Sequence, residues 1–164
     1  MSGQVPAAWA DFGVAVTGAA AALAGLVFVA ISINLRSILS EPGVSGRAAE
    51  GVMTLVVALI GAALLLVPEQ GTLLLGLEWI GLAVVFGAVL ARAYILARPV
   101  YAGRREILAG RIATHGTAVL ALLVAGIATA GALSGGLYWF VPASLWTIVV
   151  GITDAWVLLV EILR

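Results

Sequence analysis

Long apolar runs follow one another along this chain, with short polar connections between them. A transmembrane helix needs about 20 consecutive apolar residues to cross ~30 Å of hydrocarbon. Runs of that length cover residues 9–38, 46–67, 72–98, 110–133 and 137–163. The pattern therefore predicts an all-α fold, a polytopic bundle of about five transmembrane helices that forms a single domain over residues 1–164.

The connections carry residues that end helices. Residues 41–43, 68–71 and 134–136 contain Pro or Gly and are typical of tight turns. Residues 98–111 form the one longer loop. Ser45 is a candidate N-cap for the second span, because its hydroxyl can accept a hydrogen bond from a free backbone N–H.

Composition indicates which solvent the chain faces. Of its 164 residues, 63% are hydrophobic and 10% are charged, whereas a soluble domain carries about 25% charged residues. So little polar surface cannot cover a globule in water, so the apolar majority must face lipid or other helices. The lipid bilayer is the first partner that the sequence predicts.

Arginine placement predicts the orientation, because short arginine-rich loops stay on the cytoplasmic side. Arginines flank the first and third connections and end the chain: Arg36, Arg47, Arg98, Arg104, Arg105, Arg111 and Arg164. Five spans with the N-terminus outside and the C-terminus inside put all of them on one side. We expect no cleaved signal peptide, because the first ten residues lack a charged segment.

Aromatic residues near the ends of the spans predict interfacial belts. Trp9, Tyr138 and Trp139 would lie at the outer interface. Tyr94 and Tyr101, with Trp156, would lie toward the inner one.

Missing residue types exclude several chemistries. The chain has no Lys, which excludes a retinal Schiff base, and no Cys, which excludes disulfides, iron–sulfur sites and thiolate-ligated haem. His115 is the only histidine, so an intrachain bis-His haem is excluded too. No metal-ligand spacing and no basic patch beyond the loops is present, so we expect no metal, no cofactor and no nucleic-acid partner.

Small residues line one stripe of the first span. Gly13, Thr17, Ala21 and Gly25 follow at successive spacings of four, and such stripes let helix backbones approach closely in lipid. The stripe indicates tight packing within one subunit or, alternatively, a homo-oligomer formed through the first helix.

Ionisable side chains at membrane depth are costly unless paired or hydrated, so each is a candidate functional residue. At ~1.5 Å per residue, Arg92 lies about 9 Å inside Arg98, Asp154 about 10 Å inside Glu161 and His115 about 6 Å inside Arg111. All three therefore share a layer on the cytoplasmic side. One interpretation is a structural ion pair between Arg92 and Asp154 with His115 as a neighbour. The other is a gate or proton relay, because histidine titrates near neutrality.

Glu78 is expected about 9 Å below the outer surface, with no basic residue at that depth. Its available partners are neutral: Thr17, Thr129, Thr147 and Trp79. An unpaired carboxyl group there would be protonated and hydrogen-bonded between helices, or would form a proton or cation site, repeated as a ring in an oligomer.

The fifth span carries a polar stripe within an arc of roughly 100°. Its members are Ser144, Thr147, Gly151, Asp154 and Glu161. We expect this stripe to face the bundle interior or a water-filled cavity.

Residues 43–46 (GVSG) resemble the G-x-S-G nucleophile motif of rhomboid-type intramembrane serine proteases, which pair that serine with a histidine. Ser45 and His115 are expected on the same side of the membrane. Ser45 also has a capping role, however, and the six-helix rhomboid pattern is missing, so we expect no enzyme.

Residues 25–35 (GLVFVAISINL) and 154–163 (DAWVLLVEIL) resemble an uncharacterised family of small multi-span bacterial membrane proteins. Some members of that family are labelled modulator of FtsH protease. The resemblance implies a helical membrane fold and a multi-pass location in the bacterial inner (plasma) membrane, and it implies no catalytic residues.

Two functional hypotheses follow. In the first, the protein is a homo-oligomeric channel-like or transport-related protein, and Glu78, Arg92, His115 and Asp154 line a path for protons or small ions. In the second, it is a non-conducting accessory or scaffold protein that binds other membrane proteins through its small-residue helix faces. The first needs the charged residues to face a shared cavity, whereas the second leaves them as closed pairs.

Overall fold

The computed structural model describes residues 3–40 and 43–160. These residues form helices and no β-strand of more than an isolated bridge: α1 (Trp9–Ile33), α2 (Leu35–Ser40), α3 (Val44–Ala63), α4 (Thr72–Ala97), α5 (Arg105–Thr129) and α6 (Phe140–Val160). Short 3-10 turns extend α3 (Leu64–Leu66) and precede α6 (Gly136–Trp139). Five helices are long and apolar enough to cross a membrane, which confirms the predicted all-α membrane bundle.

The first predicted span is broken before its expected end. α1 ends at Ile33 and the separate short helix α2 follows it, whereas one helix was expected over residues 9–38. The side-chain amide of Asn34 donates to the Ala30 carbonyl over 3.0 Å, and its backbone N–H shares that acceptor. Asn side chains that bond the backbone in this way compete with helix continuation, which explains the break.

The fourth predicted span is shifted toward the N-terminus. It was expected over residues 110–133, but α5 covers Arg105–Thr129. Glu106 lies in the first turn, where a negative charge favours helix initiation. At the other end Gly131 has φ 96 and the Ala132 N–H bonds the Ile127 carbonyl, a glycine C-cap that stops the helix.

The predicted N-cap at Ser45 is wrong. α3 begins at Val44, and Gly43 occupies the N-cap position with φ 90. That backbone conformation suits glycine because it has no Cβ. Ser45 therefore lies within the first turn of α3, where it is exposed.

Helix α3 occupies the centre of the bundle. It packs against α1 on one side and α6 on the other, while α4 packs chiefly against α5, and α5 and α6 join the two halves. The α4–α5 contact depends on two facing glycines: a Cβ on Gly76 would lie 2.6 Å from the Gly126 carbonyl oxygen, and one on Gly126 would lie 2.8 Å from the Gly76 oxygen. Only glycine lets the two backbones come this close.

The small-residue stripe of α1 packs against the bundle at Gly13 and in part at Thr17, which is half-buried. A Cβ on Gly13 would touch Leu66, but Ala21 and Gly25 are exposed. The buried residues of α1 are Gly13, Val16, Ala20 and Val27. A strict spacing of four drifts by about 40° per step around a helix of 3.6 residues per turn, so the stripe rotates away from the neighbouring helix.

The polar stripe of α6 faces the interior as predicted. Ser144, Thr147, Gly151 and Asp154 are all buried. Glu161 lies outside the described residues.

Buried aromatic side chains pack the interior from the level of Glu78 to the middle of α4. The Trp79 ring stacks on Phe140 at 4.1 Å between centroids, and its Nε1 donates to the Gly61 carbonyl over 2.8 Å. Trp79, Phe86 and Phe140 are among the largest fully buried side chains. Along α4, Phe86 lies between Glu78 at one end of the bundle and Tyr94 toward the other.

The N-terminal segment is attached to the connection between α3 and α4. Gln4 and Gly71 form an antiparallel bridge, the Val5 N–H donates to the Gln70 carbonyl over 3.0 Å, and the Thr72 N–H donates to the Gly3 carbonyl over 2.9 Å. Both segments therefore lie at one end of the bundle. The described arginines all belong to the connections and helix ends of the opposite end.

Candidate functional site

A buried ion pair joins α3 to α5. The Glu50 Oε2 atom accepts hydrogen bonds from Arg111 Nη2 over 2.6 Å and from Arg111 Nε over 3.2 Å. The two side chains are 5% and 7% exposed. Hydrogen bonds between ionised groups are roughly twice as strong as neutral ones, so this pair links the central helix to α5.

Two tyrosines surround the Arg111 guanidinium. Its Nη1 donates to the Tyr101 hydroxyl over 2.5 Å, and its Cζ lies 5.3 Å from the Tyr101 ring centroid and 5.9 Å from that of Tyr94. Both distances fall within the range of cation–π attraction. The Tyr94 hydroxyl also lies 3.4 Å from Glu50 Oε2. The positive charge is thus held by a carboxylate and two aromatic faces.

His115 continues the polar contacts from α5 to α6. Its Nε2 lies 3.0 Å from Asp154 Oδ2, and its Nδ1 lies 3.0 Å from the Arg111 carbonyl oxygen. The Tyr94 hydroxyl approaches the same Nδ1 atom at 3.0 Å. His115 is 1% exposed and Asp154 is 6% exposed, so both ring nitrogens have partners inside the protein.

These contacts form one continuous hydrogen-bonded chain, which we call the buried polar network. In order, its members are Asp154, His115, Tyr94, Glu50, Arg111 and Tyr101. Four helices and one loop each contribute to it. Two carboxylates, one guanidinium and one imidazole therefore share a single site.

Glycines make room for the network. A Cβ on Gly51 would lie 3.0 Å from the Asp154 Cβ, and one on Gly43 would lie 2.8 Å from the Tyr101 hydroxyl. On α6, a Cβ on Gly151 would lie 2.6 Å from Leu55. The glycines of α3 and α6 thus allow the close helix contact that brings Asp154 beside His115.

The network lies at the arginine-bearing end of the bundle. Glu50 and Arg111 are each six residues into their helices, which is about 9 Å along the helix axis, and Asp154 is six residues before Val160, the last residue that the structure describes. The site is thus at membrane depth but close to one face.

The structure brings together two of the four predicted ionisable residues. His115 and Asp154 are in contact, but Arg92 is exposed. The expected ion pair between Arg92 and Asp154 is wrong, because Asp154 pairs with His115. α4 turns Tyr94 and not Arg92 toward the interior. Residues two apart in a helix point about 200° away from each other around its axis.

Glu78 lies at the opposite end and is half-buried. It accepts a hydrogen bond from the Gln70 side chain, a partner that the sequence did not indicate. Of the expected partners, Trp79 donates to the Gly61 carbonyl and Thr147 to the Ala143 carbonyl. Glu78 therefore contributes to the end where the N-terminal segment is attached, because the Gln70 carbonyl also binds that segment.

Sequence reasoning missed Glu50, Tyr94 and Arg111. Glu50 is the only acidic residue in the second predicted span, a signal that marks a functional candidate in a membrane helix. Arg111 was assigned to a loop because the start of α5 was placed too late. Tyr94 was assigned to an aromatic belt because its distance from the helix end fits one.

The geometry does not pair Ser45 with His115 as the rhomboid-like motif would. Ser45 is exposed, while both ring nitrogens of His115 contact Asp154, Tyr94 and the Arg111 carbonyl. Comparison with protein-family models, with curated proteins and with solved structures gave no match for this chain.

Proposed function

We propose that this multi-pass membrane protein binds and releases protons through the buried polar network, as part of proton-linked transport. One observation carries the proposal: His115 Nδ1 lies 3.0 Å from an atom that can only accept a hydrogen bond, the Arg111 carbonyl oxygen, and 3.0 Å from a hydroxyl that can donate one, that of Tyr94. The same geometry therefore accommodates two protonation states of the ring.

In the protonated state, Nδ1–H donates to the Arg111 carbonyl and Nε2–H donates to Asp154. Tyr94 then donates its hydroxyl proton to Glu50. With both carboxylates ionised, the charges of Glu50, Arg111, His115 and Asp154 sum to zero.

In the unprotonated state, Nδ1 accepts the Tyr94 hydroxyl proton while Nε2–H still donates to Asp154. The network then carries one net negative charge. Moving between the states requires one proton and a rotation of one hydroxyl group, since the Tyr94 oxygen already lies 3.0 Å from His115 Nδ1 and 3.4 Å from Glu50 Oε2.

Protons suit this site better than hydrated ions do. The network members on the helices are buried, and along α4 the buried Phe86 lies between the network and Glu78. A hydrogen-bonded chain carries a proton without the wide, water-lined passage that a hydrated ion needs. The proton therefore enters from the arginine-bearing end, which is the nearer surface.

Proton flux into liposomes tests the proposal. The purified protein is reconstituted with a pH-sensitive dye inside the vesicles and a potassium gradient as the driving force. We expect flux in the wild type and a loss of at least tenfold in His115→Gln and Asp154→Asn, because each breaks the chain at one link. Thr114→Val is the matched control and should leave the flux unchanged, because Thr114 is half-buried beside His115 and its hydroxyl donates to the Gly110 carbonyl of its own helix.

The Glu78→Gln variant separates the two ends of the bundle. Reduced proton flux in Glu78→Gln would show that the proton leaves through the end that contains Glu78. Unchanged flux would show that Glu78 is not part of the proton path. A well-folded wild type without flux, or equal flux in wild type and His115→Gln, would contradict the proposal.

The exposed side of α1 favours a second candidate function, that of an accessory protein that associates with other membrane helices, including a second copy of the chain. Only 17% of the spanning window of α1 is buried, against 50% for α3. Gly18, Ala21 and Gly25 are exposed on it. In lipid, exposed small residues are typical of helix–helix contact surfaces.

Oxidative crosslinking in native membranes tests this second candidate. The chain has no cysteine, so one introduced thiol per chain reports one position. If α1 forms a homo-oligomer, Gly18→Cys should crosslink to a dimer while Val84→Cys, an exposed position on α4, should not. Equal crosslinking at both positions would indicate random collision and would exclude a specific α1 contact between copies.

A further inference from the structure

A groove runs between α4 and α5 on the outer surface of the bundle. Its volume is about 320 Å³, and it is lined by Gly87, Ala91 and Tyr94 of α4 and by Ile112, Gly116 and Val119 of α5, among others. Ligand pockets start at roughly this volume. In a membrane-spanning chain, a groove on this surface faces the acyl chains of the surrounding leaflet.

Small residues keep the α4–α5 groove open. A Cβ on Gly116 would meet no atom within 4 Å, while one on Gly87 would lie 3.3 Å from Val119. Space is therefore left beside Gly116, whereas Gly87 lies against Val119. Leu90 and Tyr94 are buried at its base, so the groove is apolar along its length.

Two arginines lie beyond the groove-lining residues on the helix faces that form it, on the side of Tyr94 and Ile112. On α4, Arg98 lies within about 20° of Gly87 and Ala91 around the helix axis at ~100° per residue. It also adopts helical backbone angles as the C-cap of α4.

On α5, Arg105 lies within about 20° of Ile112 and Gly116 by the same count. Arg98 and Arg105 are both exposed. The acidic neighbour Glu106 is rotated by about 100° from Arg105 and so belongs to another side of α5. The two positive side chains therefore share the faces that line the groove.

We propose that the α4–α5 groove binds one anionic glycerophospholipid of the surrounding leaflet. Arg98 and Arg105 would hold its headgroup phosphate, and one acyl chain would lie along Ile112, Gly116 and Ala91. Basic residues between transmembrane helices at the cytoplasmic side are a recognised way of binding such headgroups. Arginine suits the role because its guanidinium binds phosphate oxygens in pairs. The evidence for this proposal is the groove and its arginines, and it does not rest on the proton-linked function.

Native mass spectrometry of the detergent-purified protein tests it, with phosphatidylglycerol and phosphatidylcholine of the same acyl chains as probes. We expect the wild type to bind phosphatidylglycerol more tightly, and Arg98→Gln and Arg105→Gln each to reduce that preference about fivefold. Arg36→Gln, an exposed arginine at the same end of the bundle, is the control and should leave the preference unchanged. Arg98→Lys and Arg105→Lys keep the charge and should keep the preference within about twofold.

A second pair of variants tests the acyl-chain contact. Gly116→Leu fills the groove and should weaken binding of both lipids about equally. Gly110→Leu is its control, because a Cβ there also meets no atom within 4 Å but lies on another side of α5.

Four results would overturn the proposal. They are equal wild-type affinity for the two lipids, a loss in Arg36→Gln as large as in Arg98→Gln, loss of the preference in the lysine variants, and equal effects of Gly116→Leu and Gly110→Leu. Thermal unfolding of each variant establishes that it is folded before lipid is added.

Discussion

Glu50 and Arg111 are buried charged residues on two neighbouring helices. Their side chains are less than a tenth exposed, so neither charge has water to replace a lost partner. Removing one member of such a pair costs about 3–5 kcal/mol. We expect Glu50→Leu and Arg111→Leu each to lose stability by about that amount, measured as a lower thermal unfolding midpoint in detergent.

The double variant Glu50→Leu/Arg111→Leu supplies the test of interaction. It removes both charges, so its loss should be well below the sum of the two single losses, because buried pairs are often replaceable by apolar residues. Arg105→Leu, an exposed change on the same helix, should shift stability by no more than about 0.5 kcal/mol. Additive losses in the double variant would show that the two side chains do not stabilise each other.

Only part of the site could be predicted from the sequence. His115 and Asp154 were recognised because an ionisable residue in an apolar run is conspicuous wherever its partners lie. The partners themselves depend on which helix faces lie against each other, and one sequence does not give that order. Arg92 and Tyr94 are two residues apart, so a rotation of about half a turn decides which of them faces the interior. The sequence favours Arg92 because it is charged, whereas the structure buries Tyr94.

At the scale of helices, the contact between α4 and α5 depends on two glycines. A Cβ on Gly76 would lie 2.5 Å from the Ala130 nitrogen and 2.6 Å from the Gly126 oxygen, both backbone atoms. Backbone atoms cannot move aside cheaply, so we expect Gly76→Ala to lose about 1–3 kcal/mol. Thermal unfolding in detergent measures the loss.

Gly81→Ala on the same helix is the matched control. Gly81 is exposed and a Cβ there meets nothing within 4 Å, so alanine should be neutral or stabilising by up to about 1 kcal/mol through helix propensity. If both alanine variants unfolded at the same temperature, the close approach of α4 and α5 would be contradicted.

The five spanning helices could be predicted because a helix that crosses lipid needs about 20 mostly apolar residues. Such long runs are visible in one sequence. The helix ends were less predictable. Asn34 ends α1 through a side-chain bond to Ala30, and Arg105 lies at the start of α5 although arginine had been taken as a loop marker. The end of α1 and the start of α5 both depend on local hydrogen bonds and on contacts with the rest of the bundle.

For the whole molecule, the arginines predict which end faces the cytoplasm, and the structure ties the N-terminal segment to the α3–α4 connection at the other end. Labelling from one side of the membrane checks the orientation. We expect Glu69→Cys in intact cells to react with a membrane-impermeant maleimide, and Gly103→Cys to react only after the membrane is opened.

The N-terminal pairing supplies an internal control. Gly3→Cys should react on the same side as Glu69→Cys, because Gly3 and Thr72 are hydrogen-bonded. The reverse pattern, with Gly103→Cys reacting in intact cells, would contradict the predicted N-outside orientation.

Tyr94 contributes to both the α4–α5 groove and the buried polar network. Its ring lines the α4–α5 groove, and its hydroxyl lies between His115 and Glu50. Lipid binding in the groove and proton binding in the network therefore both involve Tyr94. Two binding equilibria linked in this way must affect each other equally. By whatever factor a bound lipid changes the affinity of the network for a proton, a bound proton changes the affinity of the groove for that lipid by the same factor.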